Sequence, residues 1–283
     1  MKKQLLIAAI AATMTSVAFA DISISGTATA NINTKSGSDT TFAHDLDLKI
    51  TGKTGATSAV IDLEAKSTGA AGIDIKNSYL KTNIGGANIK IGDWYGGDSL
   101  LGDGGNNDIE QISVDYTMNG LKVQYEAEGA SDSVTLSGTV AGVKVSHEMF
   151  DTKTDTSVSA SMANVAMTYR SIDDDVNTKD ATSLEVSTTV SGIKVGYAKI
   201  DAETAVKSDA FFGTLASVKD ATGISVGTAV AGNNVTFKAL EIDGSDTNKV
   251  IINRPMAGGT FEFTYADPEG AVSSTDLELK VKF

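Results

Sequence analysis

Apolar and polar residues alternate along nearly the whole chain, and this period of two limits the fold more than any other feature. Asp45-Leu46-Asp47-Leu48-Lys49-Ile50 puts apolar side chains on one face and charged ones on the other. Ile61-Asp62-Leu63-Glu64-Ala65-Lys66, Leu121-Lys122-Val123-Gln124-Tyr125 and the terminal Leu277–Phe283 repeat the pattern. Side chains of an extended strand point alternately to its two faces, so such stretches read as strands with one polar face. No comparable stretch has apolar residues at helical spacing, and little helix is expected. Only 2 of the 283 residues are proline, against a usual share of about 5%. Each proline removes a backbone donor, so their scarcity suits a chain hydrogen-bonded almost throughout.

An outline also recurs: a Gly or Asn turn, then apolar-x-apolar-x-aromatic. Asn119-Gly120 leads into Leu121, Val123 and Tyr125, and Ser191-Gly192 into Ile193, Val195 and Tyr197. Ala141-Gly142 leads into Val143, Val145 and His147. The alternation yields eighteen candidate strands, from 22–33 to 275–283, with 87–93, 193–201 and 221–230 among them. A soluble sandwich also alternates, but many positions on either face here are Ala, Thr, Ser or Gly, which would fill a core thinly. A membrane strand needs ~9–11 residues, with short turns at one end and longer loops at the other. An eight-stranded barrel would use ~33 residues per strand, too many for these connections, whereas 16–18 strands use ~15–16 and leave an aqueous lumen. The expectation is an all-β, antiparallel transmembrane barrel of 16–18 strands. Gly52, Gly86, Gly120, Gly142, Gly192 and Gly232 fall at the short-turn end, and Pro255 and Pro268 in a turn and a loop.

Residues 1–20 are of a different kind. Lys2 and Lys3 precede an uncharged apolar stretch from Leu5 to Ala12, and Ala18-Phe19-Ala20 supplies a small-x-small cleavage site before Asp21. This reads as a secretory signal peptide over 1–20, with the barrel domain at 21–283. Its loss takes the net charge from −13 to −15, which argues against nucleic acid as a partner. The chain has no cysteine and 2 histidines, so thiolate metal sites, a Cys nucleophile and His-based catalysis lack material. No cofactor is expected. His44 and His147 lie on strands, away from any serine arrangement, and the enzyme reading is set aside.

Parity also nominates a basic wall. With Leu46, Leu48 and Ile50 outward, Lys49 faces the lumen, and the same rule places Lys66, Lys76 and Lys90 there. A charge facing lipid near the midplane would cost roughly 2–4 kcal/mol, so inward is the cheaper side. These lysines could equally pair with Asp47, Asp62 and Glu64 on strand faces. Asp173-Asp174-Asp175, with Asp180 nearby, has calcium-binding chemistry but reads better as a solvated loop. Gly102–Asp108 is similar to a single turn of a calcium-binding nonapeptide repeat, which binds by stacking several copies.

Four features together resemble the general diffusion porins of Gram-negative outer membranes. They are a strand directly after the signal, Ile22-Ser23-Ile24-Ser25-Gly26; the strand Asn88-Ile89-Lys90-Ile91-Gly92-Asp93; the return strand Gln111-Ile112-Ser113-Val114-Asp115-Tyr116; and Leu277–Phe283 ending in Phe. The chain departs from the family's arginine-rich pore wall in having only Arg170 and Arg254. The resemblance implies short periplasmic turns, longer external loops and a third loop folded inward. Asp93, Asp98, Asp103, Asp108 and Glu110 would then form an acidic constriction, and confined carboxylates enrich cations and repel anions. It also implies Phe283 as the assembly signal and a homotrimer set in outer-membrane lipid and lipopolysaccharide. The outer-membrane assembly machinery would be a partner, and small hydrophilic solutes and cations would pass. An exported β-rich adhesin or surface-layer protein is the alternative; it requires neither a terminal Phe nor a continuous apolar band.

Overall fold

The computed structural model describes residues 21–66, 72–94, 111–128, 131–174, 180–209 and 211–283. Eighteen strands carry most of them. They are β1 Asp21–Lys35, β2 Thr41–Thr54, β3 Thr57–Lys66, β4 Gly72–Ile84, β5 Ala87–Asp93 and β6 Gln111–Met118. Next come β7 Leu121–Glu128, β8 Ser131–Val140, β9 Val143–Phe150, β10 Lys153–Met162, β11 Val165–Asp174 and β12 Ala181–Val190. The last six are β13 Ile193–Asp209, β14 Gly213–Val230, β15 Asn233–Ile242, β16 Ser245–Met256, β17 Gly259–Pro268 and β18 Ser274–Lys282. Each strand pairs antiparallel with its sequence neighbour, and β1 pairs with β18, so the sheet closes with no free edge. Closure is the one arrangement that lets a sheet satisfy every backbone group in hydrocarbon.

The turns explain the direction of the hairpins. At Ser191-Gly192 the φ values are 51° and 81°, and at Ala231-Gly232 they are 50° and 79°. Two successive left-handed residues form the tight turn whose twist matches paired strands, and glycine takes the second place at little cost. Pro255 and Pro268 lie inside strands, not in a turn and a loop as the sequence suggested. The β15 ladder stops at Asn253, and the β18 ladder stops at Ala266. Each proline therefore has a strand on one side only, and its missing donor is not needed.

The two faces of the wall differ as the alternation requires. Ile24, Leu46, Ile91, Val123, Tyr197, Phe237 and Leu279 are exposed large hydrophobics, and all share the outward parity. The opposite parity carries Lys49, Asp62, Glu64, Lys90, Gln124, Glu126, Arg170 and Glu262, placed by the same ladders. An apolar outer band with a charged interior is the reverse of a soluble fold, and it is the arrangement of a membrane barrel around water. Strand alternation thus located the interior correctly.

Two departures from simple alternation shape the lumen. A bulge in β4 leaves Lys76 as an extra residue between Leu63↔Ile75 and Asp62↔Asn77. Beyond it the parity flips, so that Tyr79 and Lys81 turn inward while Leu80 pairs with Ile91 on the outer face. The second is length: β13 and β14 extend well past the expected 193–201 and 221–230.

Candidate functional site

The inner wall from β2 to β11 carries a nearly continuous polar network. Lys49 Nζ lies 3.7 Å from Asp62 Oδ1, and Asn77 Nδ2 donates to Asp62 Oδ2 at 2.8 Å. The bulge turns Lys76 onto Glu64 Oε2 at 2.7 Å, where Lys66 also arrives at 2.9 Å. Three of the lysines nominated from parity therefore stand beside wall carboxylates. Such half-exposed pairs contribute only about 0–1 kcal/mol each. Their effect is to balance charge along the lumen and hold the side chains against the wall.

Lys90 is different. Its Nζ stands 3.8 Å from the ring centre of Trp94 and 4.3 Å from that of Tyr79. The two rings meet edge to face at 6.3 Å. Trp94 is 5% exposed; its indole N–H donates to Glu126 Oε1 at 3.1 Å, and its carbonyl accepts from Gln111 Nε2 at 3.0 Å. Gln124 Nε2 donates to Glu126 Oε2 at 2.9 Å and to Ser113 Oγ at 3.2 Å, and Lys122 Nζ donates to Gln124 Oε1 at 2.7 Å. Trp94 directly follows the last residue of β5, so this cluster fixes the chain where the strand ends. A cation over an aromatic face within about 6 Å is attracted to the ring quadrupole, more strongly when desolvated.

Further round, Ser133 Oγ donates to Glu148 Oε1 at 2.9 Å, and Arg170 grips Asp155 through Nε at 3.0 Å and through Nη2. The sequence reading did not nominate Tyr79, Gln111, Glu126 or this Arg170–Asp155 pair. A signal for Tyr79 existed: the apolar positions of β4 move from Ile73 and Ile75 to Leu80, an odd-to-even shift that requires a bulge.

Asp93 ends β5 opposite Ser78, half-buried and on the register face of Leu80 and Ile91 rather than that of Lys90. Asp98, Asp103, Asp108, Glu110 and Asp175 lie outside the described residues, as do the proposed leader 1–20 and the inward course of the third loop. Asp174 N–H donates to Asp180 Oδ1 at 3.3 Å. His147 sits on the outer parity with Nδ1 2.9 Å from Thr156 Oγ1. Phe283 exchanges backbone hydrogen bonds with Gly26, at 2.9 and 3.1 Å.

Trp94 is the chain's only tryptophan, so its environment is directly readable. Emission from the folded barrel should be shifted to the blue and resist acrylamide several-fold better than emission from the urea-unfolded chain. Equal quenching of the two states would remove Trp94 from the packed wall.

A closed antiparallel barrel, apolar outside and charged within, defines the class: a porin-like barrel. No family model matches the chain, and no curated protein matches it. Solved structures do. An engineered protein described for asymmetric conductivity superposes with a TM-score of 0.65 at 12% identity, over 93% of this chain and 100% of the other. A substituted porin of Rhodopseudomonas blastica gives 0.63 at 13%, and a triple mutant of that porin 0.61 at 15%, with the same coverage. At such identity the likeness is one of fold.

Proposed function

We propose that the protein is an outer-membrane porin: a water-filled channel through which small hydrophilic solutes and ions diffuse passively, with a preference for cations. The observation that carries this reading is the closed ring of eighteen strands with a band of ionic side chains on the inner parity, among them Lys49, Glu64, Lys90 and Glu126. Eighteen strands enclose more space than side chains can fill, and a lumen walled by carboxylates and lysines holds water. In this reading residues 1–20 direct export, tight turns face the periplasm, and the segment after Trp94 brings Asp98, Asp103, Asp108 and Glu110 to the narrowest part. Lys49, Lys66, Lys76 and Lys90 belong to the wall, with three of them beside carboxylates. The barrel sits in outer-membrane lipid and lipopolysaccharide as a homotrimer, after assembly on the machinery that reads Phe283.

The test is conductance in planar bilayers. Purified protein should insert as discrete steps, and the reversal potential in a salt gradient should take the sign of cation preference. Complete absence of steps from correctly folded protein would sink the pore reading, and a reversal potential of opposite sign would sink the cation preference alone.

A further inference from the structure

The hairpin of β13 and β14 does not stay in the wall. Its ladder runs in simple register from Ile193↔Thr228 to Asp201↔Asp220, then shifts twice before Ser208↔Thr214. Beyond those shifts, Phe211 and Phe212 are only 7% and 4% exposed. They pack edge to face at 5.2 Å in a cluster with Ile172, Ile200, Val218 and Leu240. The ladders place this cluster inside the barrel: Ala198, Gly223 and Leu240 are paired with one another on the parity opposite to exposed Ile224 and Tyr197.

Distances settle the fold-back. A Cβ added at Gly223 would lie 2.8 Å from Phe211 and 3.2 Å from Phe212, and one at Gly196 would lie 3.2 Å from Phe211. Gly196 is near the tight-turn end of β13. In a straight strand rising ~3.3 Å per residue, Phe211 would stand roughly 50 Å away from it. The tip has therefore returned along its own hairpin. Lys238 of β15 holds it there, donating to the Phe211 carbonyl and standing 4.6 Å from the ring centre. Beside the tip lies a lumenal cavity of about 370 Å³, lined in part by Thr168, Glu185, Lys194 and Ser225 and walled on one side by Phe211. β14 is half-way round the ring from β5, so the tip faces the wall that carries Trp94.

We infer that Phe211 and Phe212 latch the tip of the β13–β14 hairpin inside the lumen as a second constriction, opposite the Trp94 wall, and that this tip limits the size of solute that passes. The inference rests on the pore reading, and it makes residues of the β13–β15 wall determinants of aperture. Two glycines on that wall provide the seat: a side chain at Gly223 would run into Leu240, Phe211 and Phe212 together, and one at Gly196 into Ser225 and Phe211.

Gly223→Leu gives a test whose sign decides. In an open lumen the added bulk narrows the channel; with a latch it evicts the tip and widens it. No positive φ restricts Gly223, so the substitution acts through space and not through backbone strain. Single-channel conductance should rise, on the order of 1.5-fold or more, since flow follows the open cross-section. Phe211→Ser with Phe212→Ser should raise it too, by removing the apolar contact from the other side. Chymotrypsin should leave the tip of the unmodified barrel uncut and cleave it beside Phe211 or Phe212 in Gly223→Leu. A heat-modifiable band on gels would show each variant folded. Conductance that falls in Gly223→Leu with the tip still uncut would overturn the latch while leaving the pore intact, as would an unchanged conductance in the double serine variant. Absence of steps in the unmodified protein would instead remove the pore itself.

Discussion

Removal of Phe283 should abolish the folded, heat-modifiable form of the protein, and Gly26→Val should come close to the same result. Phe283 closes the seam: its N–H donates to the Gly26 carbonyl at 3.1 Å, and its carbonyl accepts from Gly26 N–H at 2.9 Å. The Phe283 ring lies over Gly26 so closely that a Cβ there would stand 2.6 Å from the ring and 2.6 Å from the Asp47 carbonyl oxygen. Deletion opens the end of the β1–β18 ladder and leaves backbone groups of β1 without partners. In hydrocarbon each such group costs several kcal/mol, against about 1 kcal/mol for a hydrogen bond exchanged with water. A wall that depends on joining its first and last strands has no partial form with satisfied edges. The measurement is gel mobility of unheated against boiled samples from isolated outer membranes. Normal heat-modifiable protein after the deletion would show that neither the terminal aromatic nor the end of the seam is needed for assembly.

Replacing Asp98, Asp103 and Asp108 together by Asn should bring the cation-to-anion permeability ratio down towards one, with little change in conductance. Asparagine keeps the size and most of the hydrogen bonding of aspartate while removing its charge. On the wall of β2 to β4, Lys49, Lys66 and Lys76 already stand beside Asp62 and Glu64. Asp98, Asp103, Asp108 and Glu110 fall in a stretch of sequence after Trp94 that holds no lysine or arginine, so they are the first carboxylates to test for a preference. The preference of the unmodified channel should also fade as salt rises, because the Debye length shrinks from ~8 Å at physiological ionic strength to ~3 Å at 1 M. Reversal potentials at two salt concentrations measure both effects. An unchanged ratio in the triple variant would leave selectivity to the barrel wall, with Glu126 and Glu148 the next residues to neutralise.

The strands were legible, and their number to within 16–18, because the information is local. Period-two alternation belongs to consecutive residues, and the left-handed pairs at Ser191-Gly192 and Ala231-Gly232 lie within single turns. Strand 87–93 was read to the residue, and the inward side of Lys49, Lys66 and Lys90 followed from parity alone. The inward setting of Tyr79 could also have been found, because Ile75 and Leu80 cannot share a face without a bulge between them. The particular contacts were not legible: the bond from Trp94 to Glu126 and the hold of Lys238 on the Phe211 carbonyl join residues far apart in the sequence, and no local pattern pairs them.

Alternation therefore determined that this chain makes a barrel with a polar interior, and roughly where each strand begins and ends. Only the tertiary structure decided what enters that interior. Phe211 and Phe212 sit between two expected strands, with nothing in their neighbours to say whether they meet solvent, lipid or the lumen. Their place was settled by Gly196, Gly223 and Leu240, which leave an apolar seat on the inner wall. A strand's two faces follow from its own sequence, because the pleat is a property of the backbone. The surface a hairpin tip comes to rest on depends on space left by residues from several strands, and no local pattern records it.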